Sequence, residues 1–152
     1  AEDQAYEDIA TSIRVALSVD RVAMIETPLY RYLYREGSLS TAFSATTFDL
    51  FTADADVRAL VAGRGRGSEW DRDYLGYHYR EVLTSIAHVA MRADHADEAD
   101  PELYRTAINE VRQGISLSDI PVLWAGGHRR EIVFAVLMKA SPVLYSTILR
   151  FR

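Results

Sequence analysis

Hydrophobic positions along the chain follow helical spacing at the N-terminal end, alternate briefly, and return to helical spacing for the remainder. From Glu2 to about Ser18, Tyr6, Ile9, Ile13, Ala16 and Leu17 recur at threes and fours, which predicts an amphipathic helix with Glu2 and Asp3 in its first turn. Residues 21–26, RVAMIE, are short and apolar, and Pro28 follows them. Residues 29–35, LYRYLYR, alternate: Tyr30, Tyr32 and Tyr34 share one face, and Leu29, Arg31, Leu33 and Arg35 the other. These two stretches predict a pair of short strands. A loop, EGSLSTAFS at 36–44, ends the strand signal.

Everything downstream reads as helix. Phe48, Phe51 and Ala55 mark one helix that ends before GRGRG at 63–67. From about Glu69 to Arg92, Leu75, Tyr79, Val82, Ile86 and Val89 recur at alternating fours and threes, the clearest helix in the chain. The acidic run ADHADEADP at 93–101 interrupts it, and Pro101 suits the first turn of a helix through Val111. GGH at 126–128 separates LSDIPVLWA from a helix on Ile132, Val133, Val136 and Leu137, and Pro142 opens a last short one. The expected fold class is therefore mainly α, with a short two-strand segment at the N-terminal end and an all-helical region after it. The change of pattern sets a boundary between 1–42 and 43–152.

Composition adds exclusions. With 49% hydrophobic and 26% charged residues, the chain has the balance of a globular protein, so disorder is not expected. The absence of cysteine removes thiol catalysis, disulfides and cysteine-held metals together. A net charge of −5 argues against general nucleic-acid binding. No run of eighteen apolar residues and no apolar leader occur, so the cytoplasm is the expected location. The charge is uneven, however. From His128 onward stand Arg129, Arg130, Lys139, Arg150 and Arg152 against one acid, Glu131. Apolar residues among arginines are first expected to be a core helix with exposed arginines, and secondarily suit peripheral contact with anionic lipid at the inner face of a membrane.

Acids at the start of a helix need no function, because they interact favourably with its positive end. The order of neighbours is more informative: Ala1-Glu2-Asp3-Gln4, an amphipathic helix, RVAMIE, then TPLYRYLYREGSLS at 27–40. This series resembles the C-terminal end of the catalytic domain in family 2 glycosyltransferases, inverting enzymes of GT-A fold, over residues 1 to about 42. There an E-D pair opens a helix, and a strand and a pLYrYr-xx-GS-S segment follow.

The resemblance implies transfer of a sugar from a nucleotide-sugar donor to an acceptor hydroxyl, on a glycan or cell-wall polymer, with inversion. Inversion is a single displacement at the anomeric carbon, so the acceptor hydroxyl needs a general base opposite the departing nucleotide diphosphate. The family's base maps onto Asp3, with Glu2 positioning the site and Gln4 beside them. Arg35 and the loop hydroxyls Ser38 and Ser40 map onto the segment brought over the donor, where a guanidinium neutralises developing charge. The resemblance also implies a Rossmann-like nucleotide-binding half and a divalent metal, Mg or Mn, whose D-x-D ligands precede the acid pair. Here the only D-x-D spellings, at 54–56 and 71–73, follow it. The expectation is thus a fragment of a larger enzyme, inactive by itself, whose metal ligands lie mostly outside this chain. Similar enzymes that build or decorate the cell-wall polymers of Gram-positive bacteria often carry helical extensions of this kind.

Other candidate chemistry is weak. His78, His88, His95 and His128 form no metal pair at helical spacing, DHADEAD lacks the glycine and terminal glutamate of an EF-hand, and GRGRG lacks the lysine and hydroxyl residue of a P-loop. The competing expectation is a non-catalytic helical module for protein interaction or oligomerisation.

Overall fold

The computed structural model describes residues 5–23, 25–31, 33, 42–62 and 69–150. Among these, the regular structure is helical, as expected for the region beyond 43. It comprises α1 (Glu7–Ser18), α2 (Asp49–Ala62), α3 (Glu69–Tyr77), α4 (Thr84–His95), α5 (Pro101–Gly114), α6 (Ile120–Ala125), α7 (Arg129–Ala140) and α8 (Pro142–Arg150). Short 3-10 turns at Ala45–Phe48 and Leu117–Asp119 lead into α2 and α6.

Residues 69–95 form one interrupted rod: α3 and α4 are joined by a π-helical turn, His78–Leu83. The rod is the core of the protein. Tyr79, Val82, Leu83, Ile86, Ala87, Ala90 and Met91 are wholly buried. The uninterrupted α-helix expected from the spacing is corrected here. Thr84 N–H reaches back to Tyr79 O, and the Thr84 hydroxyl donates to the same oxygen at 2.7 Å, which satisfies the carbonyl that the wider turn displaces. Around the rod, α5 packs on α4, α2 and α6 on α3, and α7 on the π turn, with α8 against α7 and α4. Ala107, Ile108 and Val111 from α5, Leu123 from α6 and Phe134, Ala135 and Met138 from α7 complete the core.

Local signals account for the ends. Asp100 caps α5 by accepting from Glu102 N–H at 3.0 Å and Leu103 N–H at 2.8 Å, with Pro101 in the first turn. Gly127 takes φ +77° in the turn between α6 and α7, a region that favours glycine. The next residue, His128, lays its ring against Gly76 of α3, where a Cβ would collide with it.

Two expectations at the N-terminal end are corrected. The first helix begins at Glu7, not Glu2, because Ala5 and Tyr6 form a turn and Tyr6 has φ 68°, a left-handed conformation that an α-helix cannot pass through. Its first-turn acids are therefore Glu7 and Asp8. The two short strands at 21–26 and 29–35 are not formed by the described residues of those stretches. A strand needs a partner strand for its backbone groups, and no strand forms among the described residues. Their apolar side chains stand in the open, Leu29 at 77% and Tyr30 at 81% exposure. Helix α1 itself packs on α2, where Ala10 meets Val57 and Val61.

The contact at Gly76 yields a test. Gly76→Ala is expected to lower the melting temperature, and the double variant with His128→Ala to recover most of the loss. Calorimetry of the two variants checks this; a Gly76→Ala protein as stable as the parent would contradict the packing.

Candidate functional site

All five residues assigned to the site from the sequence, Glu2, Asp3, Gln4, Arg35 and Ser38, lie outside the described residues, as do Ser40, Tyr32 and Tyr34. The structure does define the point from which the acid pair departs. Ala5 is buried, and its N–H donates to Asp49 Oδ2 at 3.1 Å, in the first turn of α2. Tyr6 packs against the main core, and burial, with the Asp49 carboxylate second, raises its hydroxyl above the usual range. The left-handed backbone at Tyr6 costs on the order of 1 kcal/mol, which this packing and hydrogen bond offset. Asp3 thus stands two residues from an anchored position.

Beside this anchor lies a hollow of about 330 Å³ lined by Tyr6, Ile9, Thr47, Tyr77, Glu81 and Ser85, among others. Tyr77 contributes a buried hydroxyl with no hydrogen-bond partner. Burial first, then the Asp54 and Glu81 carboxylates, push that hydroxyl up to about 12.

A second constellation was not singled out from the sequence. Asp54 of α2 is buried at 7% exposure and accepts from Tyr74 Oη at 3.1 and 3.2 Å through its two oxygens. His78 Nδ1 meets Asp54 Oδ2 at 2.9 Å, and its ring stacks on Tyr74 with centroids 5.9 Å apart. Burial, followed by Asp54, holds the Tyr74 hydroxyl well above its ordinary range. With both oxygens occupied, this carboxylate is a clamp between α2 and the central rod rather than a base open to substrate. The available signal is an acid in an apolar stripe: Leu50, Asp54, Val57 and Val61 share the inner side of α2. The other histidines are likewise structural, with His88 Nε2 on Tyr145 Oη at 2.6 Å and His95 Nε2 on Ser146 Oγ at 2.7 Å.

A groove of about 700 Å³ runs between α2, α3 and α6, with Val61, Leu75, Pro121 and Val122 on its walls and Arg58 and Arg72 among its polar residues. Neither D-x-D spelling suits a metal: Asp54 is turned inward and clamped while Asp56 is exposed, and Asp73 is exposed while Asp71 is half-buried. Among the described residues no cluster of three or more histidines and acids is placed to hold an ion. The described residues therefore do not fit the divalent metal that the resemblance implies. Compared with known proteins, the chain matches no family model, no curated protein and no solved structure.

Two outcomes follow from the polar groups. Asp54→Ala leaves Tyr74 and His78 without their acceptor and is expected to destabilise the fold by about 3 kcal/mol, measured by urea unfolding. Tyr77→Phe removes an orphaned hydroxyl and should leave the protein as stable at pH 7 or more so, by about 1 kcal/mol. Because folding raises the Tyr77 pKa from 10.0 to about 12, its share of stability is full below pH 10 and declines as pH rises toward 12. Unfolding of Tyr77→Phe followed against pH should accordingly show a shallower alkaline decline; an unchanged slope would contradict the assignment.

Proposed function

We propose that this chain is the C-terminal part of a family 2 glycosyltransferase, transferring a sugar from a nucleotide-sugar donor to an acceptor hydroxyl with inversion, and that Asp3 is its general base. The observation that carries the reading is the ordered series Glu2-Asp3-Gln4, amphipathic helix, apolar stretch and TPLYRYLYREGSLS. Two structural features support it. The acid pair adjoins a backbone position tied to the helical region by Ala5 N–H and Asp49. The stretch after α1 carries exposed apolar side chains on non-helical backbone, which a sheet of the catalytic domain would cover.

In this reading the acceptor O–H gives its proton to the Asp3 carboxylate as its oxygen bonds to the anomeric carbon. The bond from that carbon to the nucleotide diphosphate breaks on the opposite face. Glu2 and Gln4 orient the acceptor side. Arg35 offsets charge on the leaving diphosphate, with Ser38 as a hydrogen-bonding neighbour. Asp49 is a positioning residue that acts on Asp3 through Ala5. The donor site and the divalent metal belong to the nucleotide-binding half that the reading requires before Glu2.

The second reading, a non-catalytic module for interaction or oligomerisation, draws on the continuous apolar core to which α2 to α8 contribute.

In the full-length protein, Asp3→Asn is expected to lower kcat about a thousandfold with donor affinity kept, the scale of a lost general base. Steady-state kinetics with titration calorimetry of the donor checks this, and retention of most of the rate would exclude Asp3. Asp49→Ala should lower kcat about tenfold with an unchanged donor KM, as expected for a small misplacement of a catalytic group. Asp49→Asn, which keeps an acceptor oxygen for Ala5 N–H, should retain most of the activity.

A further inference from the structure

Helix α7 is apolar on both sides. Phe134, Ala135 and Met138 face the core, while Val133 and Val136 are exposed at 57% and 45%. Arg129, Val133, Val136 and Ala140, at spacings of four, three and four, define an outer stripe. One apolar face is enough to attach a helix to its own core, so the second face has no use within the bundle. The exposed apolar character continues in α8, where Val143 stands at 75% and Leu144 at 49% exposure.

The charges that α7 itself leaves at the surface are of one sign. Arg129 and Arg130 open α7, and Lys139 lies in its last turn. The single acid of α7, Glu131, is buried at 8% exposure. Trp124 of α6 is 64% exposed, with the Arg129 guanidinium 5.4 Å from its ring centroid. Acids do appear farther along α8, where Asp94 and Asp97 share a hollow with Val143, Thr147 and Arg150. The exposed cations of α7 gather at the end beside Trp124, at Arg129 and Arg130.

An exposed indole, cations flanking it and an aliphatic stripe match the layering of a membrane interface: indole and guanidinium at headgroup level, aliphatic groups at the acyl boundary. The valines and alanine of the stripe carry no side-chain donor or acceptor that would fix the register of a folded partner, and a lipid surface requires none. Among the described residues no helix is long and apolar enough to cross a membrane, so a lipid contact here would be interfacial.

We propose that this end of the molecule docks on anionic lipid, with Arg129 and Arg130 on headgroup phosphates, Trp124 beside them, and Val133 and Val136 at the acyl boundary. The inference is independent of the glycosyltransferase reading. The test is co-sedimentation of the 152-residue chain with vesicles of phosphatidylcholine, with and without phosphatidylglycerol, alongside circular dichroism of each variant. Adding phosphatidylglycerol is expected to strengthen binding at least about tenfold, and Arg129→Gln with Arg130→Gln to remove most of that gain. Val133→Ser with Val136→Ser should weaken binding about tenfold with helicity unchanged. Equal binding to both vesicle types, or full binding by the double arginine variant, would overturn the proposal. A lipid-independent dimer in sedimentation velocity that the valine variant dissociates would overturn it too, because a second copy would then cover the face.

Discussion

A helix that buries side chains around much of its circumference must be enclosed by other elements, and the rod at 69–95 sets this requirement for the whole protein. Tyr79, Val82, Leu83, Ile86 and Met91 are shut off from water, and α2, α5, α6, α7 and α8 are arranged as their cover. The π turn at His78–Leu83 belongs to the same constraint, since the extra residue per turn changes which side chains point at which neighbour. At its start His78 reaches Asp54 of α2; one residue later Tyr79 sends its hydroxyl to Ser116 O and Asp119 Oδ2, at 3.1 and 2.9 Å. Two polar ties thus leave adjacent residues of an otherwise apolar rod for different neighbours.

Those ties connect the core to the end where catalysis is proposed. Asp54 secures α2 to the rod, and Asp49, on the first turn of the same helix, holds Ala5 N–H. Helix α2 therefore links the core to Ala5, two residues along the chain from Asp3. The left-handed Tyr6 shows that the chain is held there against its own backbone preference. In the proposed enzyme, the helical region would have a mechanical part in catalysis: it fixes one end of the segment that bears the base.

Most of the helical fold was legible because each helix carries its own signals. Pro101 behind Asp100 marked the start of α5, the glycines at 126–127 marked the break before α7, and the fours and threes from Leu75 to Val89 marked the rod. The π turn left no such mark, as a single inserted residue hardly alters apolar spacing. The start of α1 was misjudged because periodicity alone cannot register the left-handed turn at Tyr6. Alternation at 29–35 describes what those residues would do beside a partner strand, and a pattern carries no information on whether the partner is there. The clamp at Asp54 was hidden for a related reason: Tyr74 and His78 are twenty and twenty-four residues away, and only tertiary packing brings them together. The assigned site, Glu2, Asp3, Gln4, Arg35 and Ser38, rests on the ordered series in the sequence.

The central claim is that the acid pair serves a single displacement at an anomeric carbon, and the configuration of the product tests it most directly. The full-length protein would be incubated with α-linked nucleotide sugars and a cell-wall polymer acceptor, and the new glycosidic bond examined by proton NMR. The account predicts release of nucleotide diphosphate and a β-linked product. An α-linked product, or no transfer from any donor by folded full-length protein, would contradict it.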